Sequence, residues 1–248
     1  MKIGVADNAA IGGFIVTGTQ PKRIIVRAIG PSLGSLGVDG VVADPTLELH
    51  GPSGFTLTND NWGEDPAQAN EIQATGIAPS NALESAIVVT IGPGAYTATA
   101  RGANNGSGVG LVEVYDLAQA VNSKLANIST RGFVEAGDNV MIGGLIVVGN
   151  GSTNVLVRAI GPSLASVGVP NVLLDSTLEL RDNNGTLLAQ NDNWRDTQES
   201  EILATTIAPT DDHESAIFRN LAPGSYTAIV RGVNSTTGVA LVEAYQLQ

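Results

Sequence analysis

Residues Val26–Leu33 read Val-Arg-Ala-Ile-Gly-Pro-Ser-Leu, and residues Val157–Leu164 repeat this stretch without a single change. The two copies begin 131 positions apart in a chain of 248 residues. An eight-residue identity at a fixed spacing indicates an internal duplication, which determines how the rest of a chain is organised. The sequence therefore predicts two similar domains, each about half the length of the chain.

Further short identities occur in the same order in both halves of the chain. The pairs are Ile11–Gly13 with Ile142–Gly144, Thr46–Leu49 with Thr177–Leu180, Asn59–Trp62 with Asn191–Trp194, Glu84–Ile87 with Glu214–Ile217, Tyr96–Ala98 with Tyr226–Ala228, and Leu111–Glu113 with Leu241–Glu243. The spacing changes on either side of the tryptophans, which indicates a loop of variable length there. We expect the first repeat at residues 1–117, a linker at 118–125 and the second repeat at 126–248.

Alternation of apolar and polar residues predicts antiparallel strands within each repeat. Leu47 and Leu49 flank Glu48, and such runs are bounded by Gly, Pro and Asn residues. The continuous apolar run Ile24–Val26 is typical of a central strand. About seven or eight strands per repeat predict an all-β protein of two tandem antiparallel β-sandwiches, Ig-like or jelly-roll-like, each with one short helix.

Two matched segments predict the short helices. In Asp65–Gln68 an Asp precedes a Pro, and a Gln follows at the third helical position, which is a capping-box pattern. The segment Asp196–Glu199 has a similar arrangement. We expect helices from these points to about Ala74 and Ala204.

The segment Ala126–Val134 predicts a strand that opens the second repeat, and the first repeat has no counterpart to it. We therefore expect the first sandwich to lack its opening strand. Each buried side chain lost with such a strand removes about 1.5–3 kcal/mol, against a total stability of about 5–15 kcal/mol for a domain. An unpaired strand edge also invites pairing with another chain. Our hypothesis is that the first repeat is completed by a neighbouring molecule or by Ala126–Val134 itself.

Composition limits the partners that the chain can bind. The formal net charge is −12, and such an acidic surface argues against nucleic acid and anionic membranes as partners. No apolar run is long enough to span a bilayer, so membrane insertion is not expected. The chain has no cysteine, which excludes disulfides and thiolate zinc sites.

Eight charged residues recur at matched positions in the predicted strands: Arg27, Arg101, Arg158, Arg231, Glu48, Glu113, Glu179 and Glu243. We expect some of these charges to pair across a sheet. Such pairs contribute little to stability where they are exposed to water.

Taken in order, a set of motifs resembles a known kind of repeat. They are Ile128–Val134, Ile142–Gly144, Val157–Leu164, Asn191–Trp194, Pro223–Ala228 and Gly238–Glu243. The pattern is similar to the tandem β-sandwich repeats near the C-terminal ends of large secreted or surface proteins of environmental bacteria. The resemblance covers both repeats and implies an extracellular or cell-surface location with an accessory or structural role; it brings no catalytic residues with it. The absence of a secretory signal and of the first strand leads us to expect a fragment of a longer protein.

One motif raises the alternative of a hydrolase. Residues Gly30–Gly34 match G-x-S-x-G, the turn that presents a nucleophilic serine. The matched stretch Gly161–Ala165 breaks the pattern, and the motif belongs to an α/β sheet. The serine would also need a base, and the only histidines, His50 and His213, are not at matched positions. We therefore predict a Gly-Pro turn that closes a strand, and no enzyme.

Oxygen-rich loops suggest calcium as the one candidate cofactor. The candidate ligands are Asp44, Asp60, Asp175 and Asp192, because carboxylate and amide oxygens are the ligands that calcium prefers. The alternative is that the Asn-Asp-Asn triplets form turns in which the side chains bond their own backbone. No EF-hand spacing is present.

Trp62 and Trp194 are the only tryptophans and occupy matched positions. If exposed, they are the candidate residues for stacking on a sugar ring. The alternative, which we favour, is that each ring anchors its loop to the core, because large aromatic side chains dominate small cores.

The sequence thus predicts a non-catalytic extracellular structural or adhesion module that self-associates by strand complementation into oligomers or fibres. The alternative is a carbohydrate- or calcium-dependent binding module attached to a secreted enzyme, with a polysaccharide as partner. Exposed tryptophans would favour the alternative, and an open strand edge would favour the first reading.

Overall fold

The chain forms two compact units, Met1–Ala126 and Asn127–Gln248. The structure is a computed structural model that describes residues 1–4, 9–137 and 140–247. Both units are all-β sandwiches with a separate apolar core between their sheets, as the sequence predicts. Within the described ranges, no helix is both long enough and apolar enough to cross a membrane.

Unit 1 is a sandwich of two antiparallel sheets. In chain order it contains β1 (Lys2–Ile3), β2 (Ala10–Gly18), β3 (Lys22–Ile29), α1 (Pro31–Gly34), β4 (Pro45–His50), a 3-10 turn (Pro52–Gly54), β5 (Thr56–Asn59), α2 (Pro66–Ala74), β6 (Ser85–Ile91), β7 (Gly94–Gly102), a 3-10 turn (Ala103–Asn105), β8 (Gly108–Val109), β9 (Leu111–Asp116) and the start of β10 (Ser123–Val134). One sheet has the order β2-β7-β4-β5, with the start of β10 beside β2. The other has the order β6-β3-β9, and β1 pairs with β8.

Unit 2 has the same plan, but the sheet that corresponds to β6-β3-β9 has four strands instead of three. It continues β10 and adds β11 (Met141–Val147), β12 (Thr153–Ile160), a 3-10 helix (Pro162–Val167), β13 (Ser176–Asp182), β14 (Leu187–Asn191), α3 (Glu199–Ala204), β15 (Ser215–Leu221), β16 (Gly224–Gly232), a 3-10 turn (Val233–Ser235) and β17 (Gly238–Gln246). Its sheets have the orders β15-β12-β17-β10 and β11-β16-β13-β14.

The repeated stretch includes the end of β3 in unit 1 and of β12 in unit 2, and each of these strands has a partner strand on both sides. In unit 1, Ile24 and Val26 on β3 are fully buried in the core between the sheets. Ile25 points to the other face and is equally buried there, against Ile72 of α2 and the ring of Trp62. A strand covered on both faces needs a continuous apolar run rather than an alternating one. The central-strand prediction for Ile24–Val26 is therefore confirmed.

The two helices predicted from the capping pattern differ in their first turn. The side chain of Asp65 accepts hydrogen bonds from the backbone N–H groups of Ala67 (2.8 Å) and Gln68 (3.3 Å), and α2 ends at Ala74 as predicted. The predicted start at Asp196 is wrong, because α3 begins at Glu199. Three residues separate Trp194 from the glutamine of the pattern, against five in unit 1, and none of the three is a proline. The shorter loop has no room for the Asp-Pro turn.

Each unit also has helical turns that the sequence did not predict. The predicted Gly-Pro turns are the single-turn helix Pro31–Gly34 in unit 1 and the 3-10 helix Pro162–Val167 in unit 2. Proline at the first helical position favours this conformation, since its φ angle is already close to helical.

The matched strands β9 and β17 differ in how many partners they have. In unit 2, β17 pairs with β12 on one side and with residues 127–134 of β10 on the other. In unit 1, β9 pairs with β3, and no strand of the described residues lies along its other edge. The two-residue strand β1 pairs with Gly108–Val109, the positions that match Gly238–Val239 beside the end of β10.

This pairing corrects one of the two hypotheses about the first repeat. Residues 127–134 are the outer strand of unit 2 and lie along β17, so Ala126–Val134 does not complete unit 1 along β9. The expected linker at 118–125 is also too long. The residues from Ser123 onwards are already β-strand, and unit 1 extends to Ala126.

A buried ion pair holds the segment between β9 and β10. Lys22 is fully buried, and its Nζ donates to Asp116 Oδ2 (2.8 Å) and to the carbonyl oxygen of Ala118 (2.8 Å). Asp116 Oδ1 in turn accepts from the backbone N–H of Ala118 (2.8 Å). The matched position of Lys22 in unit 2 is Thr153, which has no charge.

Replacing Lys22 by methionine should lower the free energy of unfolding of unit 1 by about 3–5 kcal/mol, since removing one partner leaves the other charge uncompensated in a partly buried site. Urea unfolding followed by circular dichroism measures the change. Arg23→Met is the matched control, because Arg23 pairs with Glu71 on the surface and should contribute about 0–1 kcal/mol. Equal losses in both variants would contradict the role assigned to Lys22.

Candidate functional site: the turns around Glu84 and Glu214

The Gly-Pro-Ser turn of unit 1 is closed over a buried carboxylate. Glu84 is fully buried, and its Oε1 accepts from the backbone N–H of Gly30 (3.1 Å), the backbone N–H of Ser32 (2.9 Å) and the hydroxyl of Ser32 (2.5 Å). Its Oε2 accepts from the backbone N–H of Asn81 (3.3 Å). Four donors therefore replace the water that a buried carboxylate loses, which makes its burial tolerable.

Unit 2 repeats this arrangement at the matched positions. Glu214 is also fully buried and accepts from the backbone N–H groups of Gly161 (3.1 Å) and Ser163 (3.0 Å) and from the Ser163 hydroxyl. Glycine is required at the first position in each turn, because a Cβ on Gly30 would lie 2.3 Å from the carbonyl oxygen of Val42. The identity of the two Gly-Pro-Ser sequences follows from this shared geometry.

The Asn-Asp-Asn-Trp loop is joined to the same carboxylate segment. The backbone N–H of Trp62 donates to the carbonyl oxygen of Glu84 (2.9 Å), and the Ser85 hydroxyl donates to that of Asp60 (2.5 Å). The side-chain oxygen of Asn59 accepts from the backbone N–H of Ala86 on β6 (2.9 Å). Three of the repeated motifs thus form one polar network.

The hydrolase alternative has no geometric support. The Ser32 hydroxyl donates to the buried Glu84, so it belongs to the closed turn. His50 lies on β4, within hydrogen-bond distance of Thr56 and Glu48, and His213 lies beside Asp211. Neither histidine is hydrogen-bonded to a serine of the repeated turns, so neither is placed to act as their base.

The repeated Arg and Glu residues pair across neighbouring strands. Arg27 on β3 donates through Nε to Glu113 Oε2 on β9 (3.0 Å) and through a terminal nitrogen to the carbonyl oxygen of Ile77 (2.5 Å). The Tyr115 hydroxyl donates to the other oxygen of Glu113 (2.7 Å), and the guanidinium lies 5.2 Å from the tyrosine ring centre. Burial, followed by the neighbouring Glu113, raises the pKa of Tyr115 above its ordinary value.

Unit 2 forms the same cluster from Arg158, Glu243, Tyr245 and the carbonyl oxygen of Ile207. The side chains of Arg158 and Glu243 are 15% and 9% exposed. The sequence predicted pairing but not this burial. These pairs connect the central strands β3 and β12 to the strands β9 and β17.

The tryptophans anchor loops, and the predicted sugar-stacking role of Trp194 is wrong because the side chain is buried. Trp194 is 1% exposed, and its indole N–H donates to the carbonyl oxygen of Asp211 (3.0 Å). The Trp62 indole N–H donates in the same way to Asn81 (3.1 Å), and its half-buried ring packs against the cluster around Ile72. The favoured alternative, a core-anchoring ring, describes both positions better.

The four candidate calcium ligands form two matched pairs. Burial raises the pKa of Asp60, and the nearby carboxylates of Asp44 and Glu64 raise it further. Burial likewise raises the pKa of Asp192, and Asp175 and Asp196 raise it further. The Oδ1 atoms of Asp44 and Asp175 are buried and have no hydrogen-bond partner. Among the described residues, no group of three or more His, Cys, Asp or Glu side chains is arranged to hold a metal ion. The carboxylates of each pair therefore influence one another without forming an assembled metal site.

No protein-family model and no curated protein sequence matches the chain. Among solved structures, the chain is similar to the STIV MCP, with 12% identity, a TM-score of 0.27, and coverage of 99% of this chain and 93% of that one. It is similar to the PBCV-1 virus capsid with 9% identity, a TM-score of 0.23, and coverage of 99% and 91%. A third similarity is to the M60 catalytic domain with CBM51 domains of Clostridium perfringens ZmpB, with 8% identity, a TM-score of 0.22, and coverage of 95% and 34%. At TM-scores this low, none of these similarities indicates a function for this chain.

Glu84 and Glu214 were not among the candidate residues from the sequence. Their partners in the Gly-Pro-Ser turns lie more than fifty residues away, and no local pattern connects them. The one available signal was that both glutamates lie in a repeated Glu-Ser-Ala-Ile motif without an evident role.

The variant Glu84→Gln should lower the free energy of unfolding of unit 1 by about 1.5–3 kcal/mol, because a neutral amide accepts more weakly and turns an N–H group towards other donors. Glu214→Gln should do the same for unit 2. Chemical unfolding of both variants measures these losses. Glu71→Gln is the control on the surface, where the loss should be close to zero. A variant Glu84→Gln as stable as Glu71→Gln would contradict the role of the carboxylate.

Proposed function

We propose that the chain is a non-catalytic structural module, outside the cell or on its surface, that assembles by accepting a strand along β9. The observation that carries the proposal is that β9 has one partner strand whereas the matched β17 has two. The polar clusters support a structural role, since their donors and acceptors are satisfied within each unit. The extracellular location rests on the sequence resemblance described above.

The free edge of β9 presents backbone groups at defined positions. The backbone N–H of Leu117 donates to Arg23 on β3 (2.9 Å), and the N–H of Gly110 donates to Met1 on the opposite side (2.9 Å). Since N–H groups alternate in direction along an antiparallel strand, those of Val112 and Val114 point away from β3. They are the groups that an added strand would bind.

Unit 2 indicates which kind of strand fits this edge. There the N–H of Leu247 donates to Asn154 on β12 (2.9 Å), so by the same alternation the N–H groups of Val242 and Ala244 point towards β10. Thr130 lies opposite Val242, and Ile128 lies opposite Ala244. A strand of the Asn127–Arg131 type can therefore pair with β9 in the register that is already used on β17.

A peptide that copies residues 122–131 should bind the full-length protein and slow hydrogen exchange at the amides of Val112 and Val114. Calorimetry measures the binding, and exchange followed by NMR locates it. Main-chain hydrogen bonds provide the affinity in this mode of recognition, so blocking them should abolish binding.

Two N-methylated peptides supply the control. Methylation at the copies of Ile128 and Thr130 removes the N–H groups that face the acceptor strand and should prevent binding. Methylation at the copy of Ser129 alters the opposite edge and should leave binding intact. Equal binding by the two peptides, or no binding by the unmodified one, would contradict the proposal.

The alternative of a carbohydrate-dependent module has less support, since Trp194 is buried. Calcium binding stays a prediction. Its one structural support is the pair of unpartnered oxygens on Asp44 and Asp175.

Calcium added after chelation should release or absorb heat in calorimetry, and it should raise the unfolding temperature if these loops bind it. The variant Asp44→Asn with Asp175→Asn is the matched comparison, because it keeps the shape of both side chains and removes their charge. No heat and no shift with the unaltered chain would exclude calcium.

A further inference from the structure

We infer that the free edge of β11 in unit 2 is a second docking surface, which accepts an extended segment of the type that residues Asn122–Ala126 form in unit 1. This edge lies in the other unit from the β9 edge proposed above. The occupant is an extended stretch with a small polar residue where unit 1 has Ser123 and an apolar residue where it has Leu125.

In unit 1 the edge matched to β11 is occupied. The backbone N–H of Thr19, directly after β2, donates to the carbonyl oxygen of Asn122 (3.1 Å). A Cβ on Gly18 would lie 2.4 Å from that same oxygen, so the two backbones are in close contact. Ser123 is 4% exposed, and Leu125 packs against the core between the sheets. The segment thus covers one end of the unit 1 core.

Strand β11 is the counterpart of β2, because Ile142–Gly144 repeats Ile11–Gly13 and because β11 pairs with β16 as β2 pairs with β7. In unit 2, however, β11 is the terminal strand of its sheet within the described ranges.

The difference in coverage is visible in the side chains of the two strands. Ile15 of β2 is 37% exposed and its counterpart Ile146 is 59% exposed. On the inner face, Phe14 is buried whereas its counterpart Leu145 is only partly buried. Ile142 is 50% exposed, and Val148, directly after β11, is 57% exposed. Strand β11 and the residue that follows it therefore present a row of apolar groups to water. A continuous apolar surface beside free backbone groups is typical of a strand-addition site.

The chemistry of the occupant follows from the occupied copy. The residue in the position of Ser123 must be small, since Ser123 is almost fully buried against the backbone of Gly18. The residue in the position of Leu125 must be apolar, since Leu125 contacts the core. The residue between them faces water and carries a charge in unit 1, as Lys124 is exposed. An extended segment of this pattern would bury the end of the unit 2 core.

This inference connects with the proposed function, on which the following step rests. Residues 122–126 show the type of segment that fits β11, and residues 127–131 of β10 show the type that fits β9. The β10 strand of each molecule is already paired with its own β2 and β17. A further β10-like strand after Gln248 would occupy β11 of its own molecule with its first half and β9 of another molecule with its second half. Such contacts are head-to-tail and do not close, so they would generate an open chain of molecules.

An extension of the chain tests the β11 surface without a partner of unknown identity. The N–H of Leu247 donates to Asn154 on β12 as that of Leu117 donates to Arg23 on β3, so Leu247 is the counterpart of Leu117. A copy of Gln119–Ala126 placed after Gln248 can therefore follow the path that the original segment takes in unit 1. The extension should raise the unfolding temperature of unit 2 by roughly 4–8 °C. It should also slow hydrogen exchange along β11. The matched control has lysine in place of the copied Leu125 and should give neither effect. Equal behaviour of the two extended chains would overturn the inference.

A longer extension separates this inference from the proposed function. A copy of Gln119–Arg131 after Gln248 should stabilise unit 2 and, in addition, produce concentration-dependent polymers in analytical ultracentrifugation. Stabilisation without polymers would support the β11 surface and overturn the β9 proposal. Polymers without stabilisation of unit 2 or protection of β11 would overturn the β11 inference.

Discussion

The fold of each unit depends on one buried carboxylate, Glu84 in unit 1 and Glu214 in unit 2. Each accepts hydrogen bonds from the backbone and hydroxyl of a Gly-Pro-Ser turn, and the carbonyl oxygen of the same residue accepts from the tryptophan of the Asn-Asp-Asn-Trp loop. A carboxylate buried without these donors would be strongly destabilising, so the turn, the loop and the strand must form together. The repeated motifs of the sequence are the parts of this network.

The two units share these networks, but they differ at the sheet edges, where the pairing of matched strands is not the same. Strand β17 has a partner on both sides and β9 on one, while β2 is covered by residues 122–126 and β11 is not. Unit 2 therefore shows which strand fits the free edge of β9, and unit 1 shows which segment fits the free edge of β11. This complementarity favours a structural role in assembly, and it needs no catalytic group or bound cofactor to operate.

Much of the architecture was predictable from local pattern. Alternation at Leu47 and Leu49 and the continuous run at Ile24–Val26 depend on which faces of a strand are buried, and both predictions are confirmed. The predicted helix start at Asp196 was wrong because the loop after Trp194 is two residues shorter than the loop after Trp62, which leaves no first turn. Neither the partner of Glu84 nor the strand paired with residues 127–134 was predictable, since both are set by contacts between segments far apart in the chain. The burial of Trp194 shows the same limit, because a matched tryptophan can be a core residue or a binding residue with the same local sequence.

The strands β9 and β17 have matched sequences, but the outer edge of β17 is paired and that of β9 is not. Native-state hydrogen exchange on dilute full-length protein tests it directly, because exchange reports the local opening of each backbone hydrogen bond. We predict rapid exchange at the amides of Val112 and Val114 and slow exchange at those of Val242 and Ala244. Equal protection of the two pairs of amides would contradict it.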